Sequence, residues 1–157
     1  MNVTAHFAVE DFACKSGDAY PVDAVCGEDG RSWLEARLRP LCEMLEVIRE
    51  AAGKPIIVDS GYRTVAYDQR LFDHTGGRGM ASPETSQHPR GRAADIVCRS
   101  FTSAQLHQLI LDLYGAGKLP QLGGLGLYNS FIHVDVRPRI PVDHLARWGG
   151  SRLSNHA

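Results

Sequence analysis

The chain has 157 residues, enough for one domain with a substantial core and too few for two of ordinary size. With 43% hydrophobic and 22% charged residues it has the composition of an ordinary soluble globular protein, and a formal net charge of −1 gives no hint of nucleic acid as a partner. No apolar run approaches the ~20 residues of a membrane span, and Met1-Asn2-Val3-Thr4-Ala5-His6-Phe7 lacks the basic start and apolar segment of a secretion signal, so the expectation is a protein made in the cytoplasm.

In chain order, residues 1 to 30 read as a short helical turn and a loop that pack Phe7, Phe12 and Tyr20 on the core. Leu34, Leu38, Leu41, Leu45 and Ile48 then recur at alternating steps of four and three, which predicts an amphipathic helix stopped by Gly53 and Pro55. Pro40 should bend that helix or mark a second start, because it has no N–H to donate. Pro55 to Asp59 predicts a buried strand opening into a turn at Ser60-Gly61. Residues 64 to 72 suit a short helix, and Asp73 to Met80 is a loop by composition. Arg92 to Val97 predicts a second strand. Thr102 or Ser103 then caps a helix whose core stripe is Leu106, Leu109, Ile110 and Leu113, ended by Gly115 and Gly117.

Gly123 to Tyr128 reads as a glycine-rich strand that Asn129-Ser130 turns into the strand of Phe131 to Arg137, a hairpin. The tail from Pro138 holds Pro141, a short helix to Arg147, and Trp148-Gly149-Gly150. Cys14, Cys26, Cys42 and Cys98 are scattered without a Cys-x-x-Cys pair, which argues against a zinc ribbon. Cys42 and Cys98 fall on apolar stretches and read as reduced core residues. Cys14 and Cys26 bracket a loop and would pair only under oxidising conditions.

Two stretches carry chemistry. In Ser86-Gln87-His88-Pro89-Arg90-Gly91-Arg92-Ala93-Ala94-Asp95-Ile96-Val97, a loop histidine precedes by seven residues an aspartate seated in an apolar run, and Gly91 supplies a turn that lets the two converge. In Phe131 to Arg137, strand alternation sends Ile132, Val134 and Val136 to the core and leaves His133, Asp135 and Arg137 on the opposite face. His88, Asp95 and His133 thus offer two imidazoles and a carboxylate with an open fourth position, a ligand set that suits catalytic zinc. His6, His107, His144 and His156 read as ordinary polar residues, and His74 sits in a loop that would rim the site.

Ser60-Gly61-Tyr62-Arg63-Thr64, Ser86-Gln87-His88 with Gly91 and Ala93-Ala94-Asp95, Gly126 with Tyr128, Phe131-Ile132-His133-Val134-Asp135 and Arg147-Trp148 together resemble the peptidase M15 family. These are zinc D-Ala-D-Ala carboxypeptidases and murein endopeptidases, and the likeness is to their compact branch of phage-type lysins and MepK-like murein endopeptidases. Asp11-Phe12-Ala13-Cys14 is similar to that branch's opening, so the resemblance covers nearly the whole chain.

The resemblance implies an α+β domain of hedgehog/DD-peptidase type over residues 1–157, with a small antiparallel sheet flanked by helices and a single zinc site. It places zinc on His88, Asp95 and His133 and makes Arg63 the group that polarises the scissile carbonyl; the other reading of Arg63 is an ion pair, with Asp59 for instance. Many M15 enzymes carry an acidic base three positions before the last histidine, where this chain has Ser130. Asp135 is therefore the candidate base or water-orienting group. Two alternatives stay open, Asp135 as ligand with His133 as base, and Asp135 merely paired with Arg137 or Arg63. Ser86, Gln87 and Tyr128 are expected to position substrate. The implied reaction is hydrolysis of peptidoglycan stem peptides or cross-links, reached through lysis, a channel or an injection device. The alternative is a non-catalytic zinc-stabilised wall-binding or phage-tail-like assembly module, which Ser130 favours.

Overall fold

The computed structural model describes residues 1–27 and 29–149. The leucine spacing from residue 34 forms a helix in two parts: a π-helical stretch, Leu34–Leu38, runs into α1, Arg39–Ala52. Pro40 marks the change, standing in the first turn of α1, where a missing N–H costs least. Gly53 ends α1 in the left-handed conformation, φ 67°, with its N–H on the carbonyls of Arg49 and Glu50. Two further helices follow, α2 (Val65–Thr75) and α3 (Ser103–Gly115), capped by Thr64 and Thr102. The Thr102 hydroxyl accepts from Gln105 N while the Gln105 side chain accepts from Thr102 N, a reciprocal capping box.

Five strands make one sheet: β1 (Ile56–Ser60), β2 (Ala93–Cys98), β3 (Gly124–Leu127), β4 (Ile132–Asp135) and β5 (Ala146–Gly149), in the order β1-β2-β4-β3-β5. The β3–β4 hairpin is as expected, closed by Tyr128 N donating to Phe131 O at 3.1 Å. The sheet is mixed and not antiparallel throughout, because β5 pairs parallel with β3. The tail expected to be helical up to Arg147 is this fifth strand. After β4 the chain crosses the end of β3 to its open edge and enters alongside it, so it runs the same way and satisfies backbone groups that an edge leaves unpaired.

One face of the sheet, with Ala94, Ile96, Leu125, Ile132 and Val134, forms the core with Leu41, Leu45 and Ile48 of α1, Leu106 and Ile110 of α3, and Phe7 and Phe12 around a 3-10 turn, Val9–Phe12. On the other face a single cross-strand row holds Ser60, Asp95, His133, Gly126 and Trp148. That face is buried at its centre as well, since Asp95, His133 and Asp135 are 4%, 7% and 0% exposed. All four cysteines are free and buried, and Cys14 and Cys26 are not bridged. Among the described residues no helix is long and apolar enough to cross a membrane.

Candidate metal centre

Asp95 and His133 are direct cross-strand partners, with His133 Nδ1 3.1 Å from Asp95 Oδ1. His88 arrives from the turn that precedes β2. Gly91 makes that turn possible twice over: its φ is +72°, and a Cβ there would lie 2.6 Å from the Trp33 ring and 2.9 Å from the Tyr20 hydroxyl. Tyr20 donates to the Gly91 carbonyl at 2.6 Å, and Gly91 N donates to His88 O at 3.1 Å. His88 Nε2 then faces Asp95 Oδ1 at 3.3 Å.

Each imidazole has its second nitrogen held. His88 Nδ1 lies 2.7 Å from the Gly61 carbonyl, which can only accept, so Nδ1 carries a proton and Nε2 is the nitrogen turned to Asp95. His133 Nε2 lies 2.7 Å from Asp135 Oδ2, leaving Nδ1 for the cluster. The donor atoms of His88, Asp95 and His133 lie within 4.8 Å of one another, so these three residues could hold a metal ion. The set fits zinc: two nitrogens and one oxygen, buried, with both rings oriented by outer partners.

The electrostatics follow from this packing. Burial works against charge on His133, but the flanking carboxylates of Asp135 and Asp95 outweigh it and raise its pKa to about 9. Burial would likewise push Asp95 up, yet His88 and His133 hold it well below the usual carboxylate range. Asp135 is lowered in the same way, against burial, by Arg137 and His133.

Arg63 spans three acceptors: Ser60 Oγ from Nε at 3.1 Å, Asp68 Oδ1 from Nη1 at 3.1 Å and Asp95 Oδ2 from Nη2 at 3.0 Å. Its ionic partners are therefore Asp68 and Asp95, not Asp59. The sequence reading missed Asp68. It is the one buried residue of α2, fully enclosed, and an aspartate in a short helix of weak periodicity reads as solvent-facing. Its only sequence signal is an arginine just ahead of the helix cap, five positions away.

Asp135 is bonded through both of its carboxylate oxygens. Its Oδ2 meets His133 Nε2 and, at 2.6 Å, Arg137 Nη2, while its Oδ1 accepts from Arg137 N and Nε at 3.1 and 2.9 Å. It thus sits on the ring nitrogen of His133 that faces away from Asp95. Ser86 and Gln87 are buried and brace the His88 turn: Ser86 Oγ accepts from His88 N at 3.3 Å, and Gln87 Oε1 accepts from Arg92 Nε at 2.6 Å. Tyr128 is half-buried and its hydroxyl accepts from Trp148 Nε1 at 2.9 Å, a partner that sequence reasoning left without a role. Ser130 is exposed at the hairpin tip. His6 pairs with Glu46, and His74, His107 and His144 lie outside the cluster; His156 falls outside the described residues.

An α+β fold that presents a buried His-Asp-His cluster on one sheet face defines a candidate metalloenzyme. The family model described as Peptidase M15 matches residues 5–135, and the chain belongs to the M15 peptidase family. Membership makes it a metallopeptidase of a kind that is in general zinc-dependent. No curated protein matches the chain.

Proposed function

We propose that this peptidase hydrolyses a peptide bond in the stem peptides or cross-links of bacterial peptidoglycan, as a DD-carboxypeptidase or murein endopeptidase. The observation that carries the proposal is the buried cluster of His88, Asp95 and His133 with Arg63 bonded to its carboxylate. In this reading residues 1–157 form a single domain of hedgehog/DD-peptidase type, and the three ligands hold zinc. Zinc there supplies Lewis-acid activation of water and carbonyl.

The chain's own residues supply orientation and charge. Arg63 is held at the cluster by Ser60, Asp68 and Asp95, and its guanidinium fork steadies the oxyanion that develops on the scissile carbonyl. Asp135 holds the His133 ring and fixes its tautomer; with Arg137 and His133 occupying its oxygens, we assign it that task in place of the base. Ser86 and Gln87 keep the His88 turn in place, and Tyr128 faces the substrate. The partner in this reading is a wall peptide.

A second reading is a non-catalytic zinc-stabilised wall-binding or phage-tail-like assembly module. Ser130, exposed where many M15 enzymes place an acidic base, is the observation in its favour. One experiment separates the two: zinc-loaded protein is incubated with purified peptidoglycan and the released fragments are identified by mass spectrometry, with a His88→Ala/His133→Ala control. A metal-dependent change in the muropeptides supports the hydrolase and names its bond. An unchanged pattern from protein holding about one zinc supports the module.

A further inference from the structure

The cross-strand row through the cluster continues past His133 to Gly126 and Trp148. Gly126 is the gap that admits the indole, since a Cβ there would lie 2.5 Å from Trp148 Nε1 and 2.7 Å from its Cε2. Gly149 (φ +101°) lets β5 close onto β3, because a Cβ there would meet the Leu127 carbonyl oxygen at 2.0 Å. Trp148 comes to rest with its ring centroid 5.1 Å from that of His133 and with the Arg137 guanidinium 5.2 Å from its own. Its indole N–H, which can only donate, is spent on the Tyr128 hydroxyl at 2.9 Å.

That bond decides what the hydroxyl can offer. The phenol oxygen accepts from the indole, so its remaining polar capacity in that geometry is donation of its own proton, which meets no acceptor among the described residues. The ring cannot swing away freely, being stacked on Phe131 at 4.5 Å and 11°. Burial raises the Tyr128 pKa, and both the Asp95 carboxylate and the Arg63 guanidinium act on it, so the hydroxyl is a neutral donor within the field of the metal centre. Arg63 meanwhile has three N–H groups committed to Ser60, Asp68 and Asp95 and its charge balanced by two carboxylates. An oxyanion forming beside it benefits from a second, uncommitted donor.

We propose that the Tyr128 hydroxyl donates a hydrogen bond to the scissile carbonyl oxygen as it becomes tetrahedral, and that Trp148 is the positioning residue that aims it. The proposal rests on the hydrolase reading. It makes Tyr128 a catalytic residue, and no bond to it is made or broken. The indole N–H fixes the direction of the donor before substrate arrives, so that little reorganisation is left for the transition state.

The test compares zinc-loaded wild type, Tyr128→Phe, Trp148→Phe and the double variant on a wall peptide, with kcat and KM resolved separately, zinc content measured, and affinity for a phosphinate dipeptide determined by calorimetry. Tyr128→Phe keeps the Phe131 stack and should lower kcat about 10–100-fold with KM within about twofold, zinc content unchanged and phosphinate affinity falling in parallel with kcat. Trp148→Phe keeps a ring beside His133 and should lower kcat by about 3–10-fold, with no further loss in the Tyr128→Phe background, since it acts through that hydroxyl. Unchanged kcat and phosphinate affinity in Tyr128→Phe would overturn the donor, and additive losses would overturn the positioning role of Trp148. Absence of hydrolysis by the wild-type protein would be a different failure, removing the hydrolase reading and the proposal with it.

Discussion

Gly124 on β3 and Asp135 on β4 are cross-strand partners, and the carboxylate of one fills the space where the other would carry a side chain: a Cβ on Gly124 would lie 2.3 Å from Asp135 Oδ2. Asp135 is pinned by His133 and Arg137, so it cannot yield without releasing one of them. Gly124→Ala should therefore weaken zinc binding about 10–100-fold through Asp135, although it alters no ligand. Competition against a chromophoric chelator measures this, and wild-type affinity in Gly124→Ala would show that the carboxylate has room to move.

The same chelator assay distinguishes the two roles of Asp135. As the group that orients His133, its replacement in Asp135→Asn should lower zinc affinity about 10–100-fold, with activity recovering at least in part at saturating zinc. A protein that binds zinc normally and has lost hydrolysis would restore Asp135 as the base.

Asp68 is fully buried, and its Oδ2 has no hydrogen-bond partner among the described residues; Oδ1 holds Arg63, whose side chain is 13% exposed. Asp68→Ala leaves that guanidinium short of a partner, and its destabilisation should approach the ~3–5 kcal/mol typical of breaking a buried ion pair, as measured by denaturant unfolding. The isosteric Asp68→Asn should fold, keep its zinc and lose about tenfold in kcat as Arg63 loosens. Equal kcat in wild type and Asp68→Asn would make the pair purely structural.

Zinc loading should depend on pH through His133. In the metal-free protein this residue titrates near 9, raised from 6.5, so at neutral pH a metal ion must displace a proton from Nδ1. Affinity should rise about tenfold per pH unit from 6.5 towards 9 and then level. The stability of the metal-free protein runs the other way. A raised pKa contributes stability that is fully present below 6.5 and lost as pH climbs through about 9. Asp95 and Asp135, both lowered, contribute stability present above 3.8 and lost in acid. Thermal melts of metal-free and zinc-loaded protein across this range should diverge with rising pH; parallel curves would mean that His133 is already neutral.

The convergence of His88, Asp95 and His133 into a cluster that could hold a metal was legible because each position is set by local covalent spacing. His88 and Asp95 lie seven residues apart around a glycine that only a tight turn requires, and alternation in a strand places His133 and Asp135 together, opposite Ile132 and Val134. The helix of Leu41, Leu45 and Ile48 was legible for the same reason. Alternation could not say whether the face of His133 meets water or protein. That depended on β5, a tail of Gly, Trp and Arg too short to show a period, which became a strand because β3 had an open edge beside it.

Local chain chemistry alone therefore determined which residues could bind a metal and which elements carry them, since turns and side-chain alternation act over a few residues. Tertiary structure decided what holds each of those residues: Gly61 O on His88, Asp135 on His133, Asp68 on Arg63 and Trp148 on Tyr128. Even Asp135, two positions from His133, took its bond only once Arg137 and the missing side chain of Gly124 fixed its place. Such partners are selected by burial, where a polar group without a hydrogen bond is costly, and burial is a property of the packed chain and not of any stretch of its sequence.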